Sequence, residues 1–250
     1  MVETMGGIRV ARIARDDFLE RKWDYEPGQH CTFIGKTGSG KTTLAMELMN
    51  RVITPDFPGI VLVMKPEDST PTKWGRTLDL QRVAEWPPPE VQRNRRSPWR
   101  KRGWLVWPRV GNIETDPATL RTVFHAVFRE SYAKTRTKNP RCLFADEVVA
   151  IASPKFLGLE RDLDMIWMQG RSMGLGLWAA CQRPFNAPLN AYEQSSHIFL
   201  WRSTDKRNRK RFGEIGGIDA DLIDNIVSQL PKYDCLYINR DSYTYCVIAG

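Results

Sequence analysis

Eight residues, Gly35-Lys36-Thr37-Gly38-Ser39-Gly40-Lys41-Thr42, leave this chain few folds to choose from. They stand between a short apolar run at 30–34 and a segment at 41–52 in which Leu44, Leu48 and Val52 recur at helical spacing. The expected local structure is therefore a buried strand, a tight loop and a helix, with Thr54-Pro55 ending the helix. Glycines at 35, 38 and 40 let the backbone turn sharply and aim successive N–H groups into a concave anion site at the helix N-terminus. Lys41 adds a point charge suited to the β and γ phosphates of a nucleotide, and Thr42 offers a hydroxyl to Mg²⁺. Together with Thr43, the loop forms the expected nucleotide-binding set.

The rest of the chain repeats that alternation. Continuous apolar runs at 60–64, 104–107, 141–145, 175–181 and 197–201 read as strands buried on both faces. Helical patterns fall at 117–134, 155–171, 207–213 and 220–229, and the runs at 233–239 and 243–248 read as a closing hairpin around Arg240-Asp241. Strands alternating with helices imply an α/β fold with a mainly parallel central sheet. Residues 66–102 break the pattern with Pro, Trp and Arg, including Pro87-Pro88-Pro89, and are expected to leave the core as a basic excursion. At 250 residues a single domain is expected.

The strand at 141–145 runs straight into Asp146-Glu147. A hydrolase needs a strand-end acid for its metal and a group that positions the attacking water. Asp146 is therefore assigned to the Mg²⁺ shell and Glu147 to the water as general base. The five cysteines, at 31, 142, 181, 235 and 246, lie in or beside apolar runs without the close CxxC spacing of metal sites, so buried free thiols are expected.

A further constellation runs Gln169-Gly170-Arg171-Ser172-Met173-Gly174, then the apolar strand, then Gln182-Arg183-Pro184. In this order it resembles the FtsK/HerA superfamily of DNA-pumping P-loop ATPases, as does Ser203-Thr204-Asp205-Lys206-Arg207 after the following strand. The resemblance spans about Cys31 to Gly217. It implies a RecA/ASCE-like P-loop NTPase core in which Gln182 is a polar sensor for the γ-phosphate or the water. It further implies that Arg171 is an arginine finger acting on a neighbouring subunit's nucleotide, with Arg183 and Arg202 as second candidates.

Composition narrows the partner. Hydrophobic residues at 42% and charged residues at 26% exclude a largely disordered chain. The net charge of +8 is concentrated in Arg93-Asn94-Arg95-Arg96-Ser97-Pro98-Trp99-Arg100-Lys101-Arg102 and in Lys206-Arg207-Asn208-Arg209-Lys210-Arg211. Such clusters follow a phosphate backbone or form a solvated basic face. Arg93, Arg95, Arg96, Arg100, Lys101 and Arg102 are the candidate DNA contacts, and the second cluster lines either DNA or a subunit interface. The combined expectation is an ATP- and Mg²⁺-dependent motor that forms a pentameric or hexameric ring on double-stranded DNA. Among such motors it resembles viral genome-packaging ATPases, which implies a capsid portal or vertex protein as a further partner. No apolar run approaches the roughly 18 residues that span a bilayer, so a cytoplasmic or virion-associated protein is expected. Two other readings remain open: a filamentous-phage assembly ATPase of the zonula-occludens-toxin type, and a nucleotide-switched scaffold protein.

Overall fold

The computed structural model describes residues 2–5, 7–64, 69–88, 101–108, 116–135, 138–205, 207–215 and 218–250. Up to the acidic pair the elements are β1 (Val2–Met5), β2 (Ile8–Ala14), α1 (Arg15–Arg21), β3 (Cys31–Ile34), α2 (Lys41–Val52), β4 (Gly59–Leu62), α3 (Ser69–Thr77), β5 (Gln81–Val83), β6 (Gly103–Val106), α4 (Pro117–Thr135) and β7 (Arg141–Ala145). Beyond it come α5 (Val148–Ala152), α6 (Glu160–Gln169), β8 (Leu175–Cys181), α7 (Leu189–Glu193), β9 (His197–Trp201), α8 (Asn208–Phe212), α9 (Ala220–Gln229), β10 (Cys235–Asn239) and β11 (Thr244–Ala249).

Among the described residues one sheet runs in the order β1-β2-β11-β10-β9-β3-β8-β7-β4-β6-β5. From β9 to β5 every pairing is parallel, and β10 joins β9 and β11 antiparallel as the expected C-terminal hairpin. Parallel strands bring all their C-terminal ends to one edge of the sheet, where crossovers leave room for a ligand. The helices supply the covering that buried parallel strands require. In β8 the alternation is explicit. Leu175, Leu177, Ala179 and Cys181 join one core, shared with Phe124, Phe128 and Leu163 of α4 and α6, while Trp178 and Ala180 join the other. That second core holds Phe18 of α1, Leu44 and Leu48 of α2, and Trp74 of α3, with Phe33 and Phe199 stacked 4.8 Å apart on adjacent strands.

Two expectations need correction. The described part of the expected 66–102 excursion does not simply leave the core: Ser69–Thr77 form α3 and Gln81–Val83 form β5, the latter an edge strand parallel to β6, and Trp74, Leu78, Leu80, Val83 and Trp86 are buried. Five apolar side chains spread among Pro and Arg gave no clean period, although each finds a place under the sheet edge. Residues 155–171 are not one helix either, because α6 begins only at Glu160, after the separate short α5. The N-terminal strands β1 and β2 extend the sheet beyond the hairpin through parallel pairing of β2 with β11. No helix among the described residues is long and apolar enough to cross a membrane.

Candidate functional site

The C-terminal sheet edge is where β3, β8, β7 and β9 deliver their last residues. Gly35 continues β3, donating its N–H to the Cys181 carbonyl at 3.1 Å. A Cβ on Gly35 would stand 2.6 Å from the Cβ of Trp201, so only glycine lets the loop leave the strand this close to β9. Gly40 has φ of 99°, the left-handed region, immediately before the first turn of α2. Lys41 opens the helix as a buried residue, and its Nζ donates to the carbonyls of Gly35 at 2.6 Å and Lys36 at 3.2 Å. The loop is thus curled around its own lysine. Within it the Ser39 hydroxyl is buried without a hydrogen-bond partner, an orphaned polar atom of the kind a phosphate-binding loop leaves for its ligand.

Across the loop β7 ends at Ala145, and the turn into α5 presents Asp146 and Glu147. The Thr42 hydroxyl donates to Asp146 Oδ1 at 2.9 Å, which joins the two residues assigned to the metal. A hydroxyl and a carboxylate are hard oxygen donors that suit Mg²⁺, an ion that normally takes only one or two carboxylates and completes its shell with phosphate and water. Groups of three or more His, Cys, Asp or Glu side chains fit for a metal are absent among the described residues. β8 lies between β3 and β7, so its end carries Gln182 in between the loop and the acids. The Gln182 amide donates to Glu147 Oε2 at 2.8 Å. Thr37, Gly38, Gly40, Lys41, Thr42, Thr43, Asp146, Glu147 and Gln182 line one cavity of about 320 Å³. Burial, with the Glu147 charge next, pushes the adjacent Cys181 thiol up to about 12, and all five cysteines are buried and free.

Arg171 stands elsewhere. It follows α6 in a short 3-10 turn before β8 starts, at the opposite sheet edge, about 20 Å from the loop by the rise of a seven-residue strand. Its guanidinium makes two bonds to Asp241, at 3.2 and 2.7 Å. Burial raises the Asp241 pKa, but hydrogen bonds led by that from Arg171 outweigh it and hold the carboxyl below its usual range. Arg171 therefore joins none of the site residues of its own chain. Arg183 and Arg202, by contrast, line a second cavity beside Gly35, Lys36 and Thr37.

Of the candidate DNA contacts, Arg93, Arg95, Arg96 and Arg100 lie outside the described residues. Lys101 is ion-paired with Asp79. Arg102 reaches the C-terminal end of α2, donating to the Ile53 carbonyl at 2.8 Å and to Asn50 Oδ1 at 2.8 Å. The structure thus gives Arg102 a helix-capping task in place of a free phosphate contact, because the start of β6 brings it under the last carbonyls of α2. Two residues not singled out from sequence also line the loop cavity, Thr70 and Tyr233. Thr70 was hidden in the segment expected to leave the core, and nothing local to Tyr233 marks it, since it arrives through the pairing of β10 with β9.

No protein-family model matches the sequence, and no curated protein matches it. Solved structures do share the fold. The DNA-packaging ATPase B204 from Sulfolobus Turreted Icosahedral Virus superposes with a TM-score of 0.63 at 16% identity, covering 90% of this chain and 99% of that one. VirB4 of Thermoanaerobacter pseudethanolicus gives 0.62 at 10% identity over 88% of each chain. The cytoplasmic domain of the Thermomonospora curvata Type VII secretion ATPase EccC gives 0.58 at 18% identity, over 93% of this chain and 26% of that one. The chain therefore has the P-loop ATPase fold shared by the DNA-packaging ATPase B204, the secretion ATPase EccC and VirB4.

Proposed function

We propose that this chain hydrolyses ATP as a subunit of a homo-oligomeric ring, a pentamer or hexamer, that translocates double-stranded DNA, and that its task is packaging a viral genome. The observation that carries the reading is the paired contact at the loop mouth, Thr42 with Asp146 and Gln182 with Glu147. A protein that only binds nucleotide needs the loop, whereas a hydrolase also needs a base and a group that couples that base to the terminal phosphate.

In this reading the loop N–H groups and Lys41 hold the triphosphate, and Lys41 exchanges its two loop carbonyls for phosphate oxygens. Thr42 and Asp146 would hold Mg²⁺, which would supply neutralisation of the negative charge on the triphosphate. Glu147 takes the proton of the attacking water. Gln182, an amide able to donate on one side and accept on the other, links that carboxylate to the γ-phosphate and registers its loss. Arg171 acts on a neighbour's site, in keeping with its place on the sheet edge opposite the loop of its own chain. Duplex contacts come from Arg93, Arg95, Arg96, Arg100 and Lys101, follow the phosphate backbone and weaken with salt. The packaging task is supported by the fold shared with a DNA-packaging ATPase, and it places the ring in the host cytoplasm or on the virion, docked to a portal or vertex protein. The test is steady-state ATPase activity with and without duplex DNA. Wild type should turn over with stimulation by DNA, and absence of hydrolysis at every protein concentration that allows assembly overturns the reading.

A further inference from the structure

We infer that Tyr233 is the residue that receives the nucleotide base. The inference rests on the proposed nucleotide site and goes beyond it by naming the contact that a phosphate-binding loop of backbone amides and Lys41 cannot make.

Direction comes first from topology. The groups that would meet the terminal phosphate, Asp146, Glu147 and Gln182, stand at the ends of β7 and β8, on one side of the β3 loop. A triphosphate anchored by the loop with its γ end toward those strands must send its base the other way, toward β9 and β10. Tyr233 is there. It stands two residues before β10 begins, and Cys235 pairs with Trp201 at the end of β9, so the antiparallel strand returns the chain to the nucleotide edge.

Position and conformation agree with that direction. Tyr233 lines the same cavity as Lys41, Thr42 and Thr43. A Cβ built on Gly40 would lie 3.8 Å from a ring carbon of Tyr233, so the ring borders the loop at its last residue before the helix. Tyr233 is nonetheless 46% exposed, a large aromatic residue left open to solvent beside a polar cavity. The Lys232 ammonium stands over the ring, 4.8 Å from its centroid. The backbone of Tyr233 has φ of 74°, a left-handed conformation that glycine or asparagine adopts readily and a bulky residue does not. Such conformations cluster where a side chain has a task that outweighs local comfort. An exposed ring, a strained backbone and a place in the cavity wall together describe a stacking platform, and every base offers it a π face. The contact therefore adds affinity with little discrimination among bases.

The test measures binding of ATP and of inorganic tripolyphosphate, each with Mg²⁺, to the full chain by titration calorimetry. Tyr233→Ala should weaken ATP by roughly 5- to 150-fold, the range of one lost base–aromatic stack, and leave tripolyphosphate within about twofold of wild type. Tyr233→Phe should match wild type for both. Tyr233→Asn, which suits the left-handed backbone, should melt no lower than wild type while sharing the ATP defect, so that weak binding cannot be ascribed to misfolding. In turnover the loss should appear in KM with kcat nearly kept. Tyr233→Ala binding ATP within twofold of wild type, or losing ATP and tripolyphosphate in parallel, overturns the inference. Wild type binding neither ligand overturns instead the nucleotide-site reading on which it depends.

Discussion

Glu147 and Gln182 touch each other at 2.8 Å, but their replacements should fail in different ways. Glu147→Gln keeps the size and the hydrogen-bonding capacity of the side chain and removes its basicity. Turnover should fall by about 10²- to 10⁴-fold with ATP binding intact. Measured kcat and Kd for that variant check the assignment, and unchanged turnover would remove Glu147 from the base role. Lys41→Ala should lose binding itself, because Lys41 carries the buried ammonium around which the loop is curled. These residues could be read from sequence because the chemistry sets them side by side: a loop needs its glycines, lysine and threonine at fixed offsets, and a strand-end acid needs an apolar run before it. Tyr233 and Thr70 could not. They reach the cavity from distant segments, and only the order of strands in the sheet brings them to it.

Elements were legible where they were long or fully buried. The helix at 41–52 and the strands at 141–145, 175–181 and 197–201 match the expected ranges, the helix because its apolar period is clean and the strands because each is built on an unbroken apolar run bounded by polar residues, Gly or Pro. The pattern failed at 66–102, where α3 and β5 are short, edge-lying and only partly covered, so few apolar positions were available to show a period. Arg102 shows the consequence. Read as part of a charge run it suggested nucleic acid, yet it closes the end of α2 through Ile53 and Asn50. Arg102→Ala should lower unfolding stability by about 1–2 kcal/mol, the worth of charge-assisted bonds to carbonyls discounted for partial exposure. Urea denaturation would register that loss, and a change below about 0.3 kcal/mol would show that the cap contributes nothing.

For the whole molecule, the far sheet edge is as organised as the nucleotide edge. Gln29 donates to Asp241, the partner of Arg171, and its Oε1 accepts from His197 Nε2, leaving His197 Nδ1 to accept the Tyr237 hydroxyl. His30 Nδ1 accepts the Leu177 N–H. Burial lowers both imidazoles to about 4, so they are neutral in the folded chain while the unfolded chain protonates near pH 6.5. Their contribution is complete above pH 6.5 and is lost as pH falls toward 4, by at most about 3 kcal/mol for each. Urea midpoints that stay flat from pH 7 to 4 would contradict it. Because Arg171 lies on this far edge, mixing Arg171→Ala subunits with Lys41→Ala subunits should restore ATPase activity at mixed interfaces, and no recovery would leave Arg171 a structural partner of Asp241. The central claim, that hydrolysis at the paired Thr42–Asp146 and Gln182–Glu147 site moves duplex DNA, is tested most directly by displacement of a third strand from a DNA triplex. Wild type with ATP and Mg²⁺ should strip the third strand while Glu147→Gln does not; wild type that hydrolyses ATP on the same duplex and displaces nothing would contradict the account.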